Sequence, residues 1–92
     1  MKLLSFNQYF KNSLKDPEFK KLWEESSPKY QLSRQIIKKR LENKMSQQEL
    51  AKKVGTTQAI ISRLENSTLN PSLKLLERIS IGLNSRLVLS IK

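Results

Sequence analysis

The sequence predicts a mainly α-helical fold with a helical extension over residues 1–29, a helical domain over 30–84 and a short β-strand over 85–92. Three observations predict it. Apolar residues recur at spacings of three and four from Phe6 to Leu83, the period of a helix with one buried face. Cap residues stand ahead of these runs, at Asp16, Ser46, Thr57 and Ser72, where a side-chain oxygen satisfies the first unpaired backbone N–H groups. Beyond Arg86 the period changes to two, with Leu87, Leu89 and Ile91 alternating with Val88, Ser90 and Lys92, the pattern of a strand.

Each element has its own signals. Phe6, Phe10 and Leu14 lie four residues apart, and Ser5 with Gln8 has capping-box spacing, so a short helix is expected from Ser5 to Leu14. Asp16-Pro17-Glu18 opens a second helix with a cap, a proline in the first turn and an acid at the positive end. It carries Phe19, Leu22 and Trp23 and is expected to stop before Ser26-Ser27-Pro28. A longer helix is predicted over Tyr30–Asn43, with Ile36, Ile37 and Leu41 inward. Ser46-x-x-Glu49 is a capping box ahead of Leu50, Ala51 and Val54, and Gly55 ends that helix. Thr57 caps the next, with Ile61 and Leu64 buried, and 66–71 form a polar loop. Ser72 caps a last helix with Leu73, Leu76, Ile79 and Leu83 inward, and Asn84 takes the left-handed stop. Gly82 then falls inside that helix, a local cost of about 1 kcal/mol against alanine. One strand cannot stand alone, so the tail must pair with a second chain or lie on the helices.

Composition narrows the function. The chain carries 18 basic and 8 acidic residues, net +10, and the excess is shared between both halves. Such a field attracts polyanions, nucleic acid first. There is no Cys and no His. That removes disulfides, thiol chemistry, Cys/His zinc sites and the commonest general base. No nucleophile has a base beside it and no phosphate loop exists, so neither an enzyme nor a cofactor is expected. The opening apolar run is too short for a secretory leader, and no span is long enough for a bilayer. A cytoplasmic protein without membrane contact is the expectation.

Residues 47–66 have the logic of a helix-turn-helix. Ala51 is small where two helices cross, and Gly55 supplies the backbone freedom of a tight turn. Leu50, Val54, Ile61 and Leu64 lock the pair together. That packing leaves Gln58, Ala59, Ser62, Arg63 and Asn66 on the opposite face of the second helix. Gln and Arg suit adenine and guanine edges, and a small Ala can lie against a thymine methyl. An ordinary helical hairpin with a polar outer face is the competing reading. RNA binding through Phe6, Tyr9, Phe10, Phe19, Trp23 and Tyr30 is another, although their helical spacing favours packing.

The runs Glu49-Leu-Ala-Lys-Lys-Val-Gly-Thr-Thr-Gln58 and Ile61-Ser-Arg-Leu-Glu-Asn66 make residues 33–83 resemble the helix-turn-helix domain of the lambdoid phage repressor and Cro superfamily, also called the XRE family. The resemblance implies a lambda-repressor-like bundle of about five helices and binding to double-stranded operator DNA. It implies that Gln58 and Arg63 read bases, that Gln47 reaches the backbone or a base edge, and that Thr57 and the loop after Asn66 lie beside phosphates. It also implies an Arg40–Glu65 ion bridge of structural purpose. Ala59 departs from the long polar residue of some members, so no operator sequence transfers.

More of the chain resembles HigA-type antitoxins. The similar segments are Asp16-Pro-Glu-Phe-Lys-Lys-Leu-Trp23, Pro71-Ser-Leu73, Leu76-Glu-Arg-Ile79 and Arg86-Leu-Val-Leu-Ser-Ile91. This resemblance implies an autorepressing homodimer that neutralises an mRNA-cleaving toxin of the RelE/HigB-like class. Phe6, Tyr9, Phe10, Phe19 and Trp23 are partly surplus to the core of the motif domain, which makes them the candidate toxin-binding residues; the competing reading is that Phe19 and Trp23 cap the domain core. A free-standing repressor without a toxin partner is the alternative.

Overall fold

A computed structural model describes residues 16–92. Five helices follow one another: α1 Pro17–Glu25, α2 Pro28–Glu42, α3 Gln47–Val54, α4 Gln58–Glu65 and α5 Leu73–Gly82. The expected helix over Ser5–Leu14, with Phe6, Tyr9 and Phe10, lies outside the described residues.

The caps form as their residue types dictate. Asp16 accepts from the Glu18 amide, Ser27 from Tyr30, Thr57 from Ile60 and Ser72 from Leu75. Ser46 and Glu49 close a reciprocal box, at 3.0 and 3.1 Å. α2 begins two residues before its expected start. Ser27, in extended conformation, caps it and Pro28 is its first residue. The proline that stops α1 therefore also starts α2, because its missing N–H would be unsatisfied there anyway.

Helix ends follow one device. Past α2, α3, α4 and α5 the chain turns left-handed at Lys44, Gly55, Ser67 and Asn84. In each case the next amide bonds back five residues: Met45 to Arg40, Thr56 to Ala51, Thr68 to Arg63 and Ser85 to Ser80. These are Schellman stops, three of them without glycine. Asn84 was legible as one; Lys44 and Ser67 were not.

The core is Ile36, Leu50, Ala51, Val54, Ile61, Leu64, Ile79 and Leu83, supplied by α2 to α5. Ile37, Leu41 and Leu76 are only half-buried. Leu73, expected inward, is 59% exposed. It stands six residues before Ile79, which at 3.6 residues per turn places it about 120° off the buried stripe; Leu75 packs against the core instead.

Gly82 has a tertiary cause. A Cβ there would overlap Val54 Cγ1 and touch Leu50. α3 and α5 approach too closely at this point for any side chain. Among the described residues Ser33 is a buried polar residue, 2% exposed. Its hydroxyl meets the carbonyls of Leu64 and Lys29 and the Ser67 hydroxyl. It thus ties α2 to the end of α4.

The expected C-terminal strand is not formed. Residues 85–92 are neither helix nor strand. A strand needs a hydrogen-bonding neighbour, and among the described residues there is none. Arg86, Leu87 and Val88 instead border a groove floored by Leu32, Ile36, Leu76, Ile79 and Leu83, the other arrangement open to a lone alternating segment.

Two stability effects follow. Gly82→Ala should destabilise by about 1–3 kcal/mol through overpacking against Val54, whereas helix propensity alone would make it stabilising by about 1 kcal/mol; a rise in Tm would contradict the close approach. Lys44→Gly should raise Tm by about 2–4 °C, because it relieves the left-handed penalty at the cost of unfolded-state entropy. Thermal unfolding followed by circular dichroism reads both.

Candidate nucleic-acid interface

α3 and α4 meet across Leu50, Ala51, Val54, Ile61 and Leu64, all buried. The turn between them favours glycine at position 55, where φ is 75°, an L side chain is strained and a Cβ would crowd the Arg78 guanidinium. The turn is also held from outside. Arg78 of α5 donates through Nη2 to the carbonyls of Val54 and Gly55. A guanidinium thus satisfies the last carbonyls of α3 and places positive charge at the negative end of its dipole.

With Ile61 and Leu64 buried, the opposite arc of α4 is fixed. At 100° per residue, positions 58, 62, 66, 59 and 63 fall in sequence across about 140° of the helix surface. Gln58, Ala59, Arg63 and Asn66 are exposed and Ser62 is half-buried. The structure thus brings the five expected reading residues onto one face. Thr57, also exposed, accepts from the Ile60 amide at 3.2 Å. Its own O–H is left to donate to an acceptor such as a phosphate oxygen.

Gln47 is placed differently. It is the first residue of α3 and half-buried. Its Nε2 donates to Glu65 Oε1 at 3.0 Å. Glu65 also takes Arg40 in a fork, from Nε to Oε2 at 2.7 Å and from Nη2 to Oε1 at 3.0 Å. Arg40 spends its remaining Nη1 on the Met45 carbonyl at 2.8 Å. The expected Arg40–Glu65 bridge is present, and one carboxylate joins α2, α3 and α4.

Sequence reading missed Arg78, Ser33 and the bond from Gln47 to Glu65. Their tertiary partners lie 18 to 34 residues away along the chain, and no local spacing encodes such contacts. α1 stands apart from the core. Among the described residues it buries no side chain fully. Gln31 of α2 donates to the Trp23 and Ser26 carbonyls at 2.9 and 3.2 Å. The Trp23 and Tyr30 rings meet edge-on with centroids 5.9 Å apart. Phe19 and Trp23, the described candidates for protein contact, are half-buried, with Leu22 beside them 62% exposed.

Among the described residues no helix is long and apolar enough to cross a membrane, and no group of three or more His, Cys, Asp or Glu is placed to hold a metal. No curated protein and no solved structure matches the chain. A family model described as helix-turn-helix matches residues 36–89, from the second turn of α2 through α5 into the tail. Over more than half its length, and with the α3–turn–α4 geometry just described, the chain belongs to the helix-turn-helix family of the XRE type, whose members are DNA-binding regulators.

Proposed function

We propose that the chain is a sequence-specific, operator-binding antitoxin: a cytoplasmic homodimer that represses its own operon and neutralises a RelE/HigB-like mRNA-cleaving toxin. The observation that carries the DNA-binding part is the outward face of α4, where Gln58, Ala59, Arg63 and Asn66 are exposed together. In this reading α4 enters the major groove, Gln58 and Arg63 meet base edges, Ala59 lies against a base, Ser62 and Asn66 flank them, and Thr57 donates to a phosphate. One such helix makes few contacts. A second copy on a half-site one duplex turn away, about 34 Å, supplies useful specificity.

The partner-protein part is supported by α1. A domain whose core closes without α1 still carries Leu22 and Tyr30, 62% and 42% exposed, next to Phe19 and Trp23. Leu22 on α1 and Tyr30 at the start of α2 form an exposed apolar and aromatic patch, and such a patch has the chemistry of an interface anchor. The alternative, a free-standing repressor, is favoured by a different fact: Trp23 borders the groove of its own domain and meets Tyr30 edge-on. In that reading α1 serves the fold alone.

Three outcomes test these readings. Arg63→Ala should cost about 1–3 kcal/mol on the selected operator and relax preference at one base pair; a titration showing neither change would remove α4 from the groove. Operator affinity should fall linearly in log affinity against log salt, and Lys44→Ala or Lys74→Ala should flatten that slope without altering base preference; a salt-independent affinity would contradict phosphate contact. Leu22→Asp should leave operator binding intact and weaken capture of the toxin encoded beside it by at least about tenfold, or ~1.4 kcal/mol. Co-purification from the native operon that yields no toxin, or an unaffected complex, would leave the repressor reading.

A further inference from the structure

Residues 85–88 border a groove that the fold leaves open. Leu32, Ile36, Leu76, Ile79 and Leu83 form its floor, Trp23 stands at one margin, and its volume is about 310 Å³. The charged side chains that line it are Lys38, Lys39 and Arg86, all cations. Glu42 lies 3.9 Å from Lys38 and from Lys39, one carboxylate between two ammonium groups, and Arg86 adds a further positive charge. The bordering backbone is uncommitted as well. Among the described residues, no amide or carbonyl of residues 86–92 makes a hydrogen bond. Leu87 is half-buried, while Val88 and Leu89 are 71% and 64% exposed. Unpaired backbone beside an apolar floor is a template for an added strand.

We propose that this groove and the tail together form a docking site for an acidic β-strand of a partner protein. The strand pairs with the backbone around Leu87 and Val88, sets alternate apolar side chains on the floor, and meets Lys39 and Arg86 with carboxylates. Charge selects this occupant over the two that the chain itself offers. Opposite charges on neighbouring strands attract and like charges destabilise the pair. A second copy's tail would bring a segment with no acidic residue from Arg78 to Lys92, and residues 1–15 carry three lysines and no acid. Either would lay cations against cations. A strand in which apolar residues alternate with aspartate or glutamate satisfies the floor and the rim together. None of the lining residues belongs to α3 or α4. The site therefore goes beyond the DNA-binding reading and does not depend on it.

The test is titration of the full chain with a short synthetic peptide in which valine alternates with glutamate. Trp23, the sole tryptophan, reports from the margin of the groove, and nuclear magnetic resonance locates the contact. The peptide should change Trp23 emission saturably and shift Ile79, Leu83, Leu87 and Val88. The same peptide with lysine for each glutamate should bind about tenfold more weakly or worse. The double variant Lys39→Glu with Arg86→Glu, two exposed positions, should reverse that preference. Strand pairing has its own signature, because a strand presents only alternate amides to its neighbour. Of two peptides N-methylated on alternate amides, one should bind as the parent does and the other should lose about tenfold or more. Two methylated peptides that behave alike would overturn the strand pairing, and an unchanged preference in the double variant would overturn the charge argument. An acidic peptide that leaves Trp23 emission and these shifts unmoved would overturn the proposal outright. So would peptide-free spectra that change with protein concentration at Leu87 to Ile91, which give the groove to a second copy. Contacts from Phe6 or Phe10 to Leu87 would give it to this chain's own residues 1–15, with the same consequence.

Discussion

The relative placement of α2, α3 and α4 depends on a carboxylate in an unfavourable place. Glu65 is the last residue of α4, and its side chain is 5% exposed. Backbone carbonyls crowd that end of the helix, and the dipole there is negative. A buried anion persists at such a point only when it is met by a cation and filled with hydrogen bonds. Arg40 supplies the cation in a two-point fork and Gln47 supplies a further donor. The result ties the ends of three helices to one group of atoms. Well-packed apolar residues would be at least as stabilising as such a pair. What the pair adds is the fixed orientation of a two-point fork between α2 and α4.

The rest of the molecule confines α3 and α4 in complementary ways. Apolar packing of Leu50, Ala51, Val54, Ile61 and Leu64 sets how they cross. Gly82 lets α5 come down on α3 with no intervening side chain. Arg78 then reaches over to hold the turn. Ser33 holds the far end of α4 through the Leu64 carbonyl and Ser67. The two helices are therefore gripped at the turn, along their contact and at the exit, and the outer arc of α4 is left uncommitted. α1 and the tail, by contrast, add surface without adding to this grip.

Local chemistry made much of this legible from sequence. The Ser46–Glu49 box, Thr57, Ser72, Gly55 and Asn84 all act within a few residues of themselves, and the structure uses each as its type dictates. The arc from Gln58 to Asn66 was legible for the same reason: helical period plus two buried residues fixes the opposite face. What escaped was non-local. Gly82 reads as a defect until Val54 is seen above it. Ser33 and Arg78 have no pattern around them that points to carbonyls 31 and 24 residues away. Leu73 is apolar but a third of a turn off the stripe. The tail alternates like a strand, yet alternation gives a face and not a neighbour to bond to, and a single chain supplies none.

On the function proposed above, α3 and α4 form one held unit whose outward face meets DNA. Nuclear magnetic resonance of the full chain, titrated with a duplex selected from a random pool, tests it most directly. Backbone and side-chain shifts should concentrate at Gln47, Thr57, Gln58, Ala59, Ser62, Arg63 and Asn66, while core residues such as Ile61 and Ile79 stay in place. Shifts gathered on α1 and the tail, with the outer face of α4 unmoved, would contradict it.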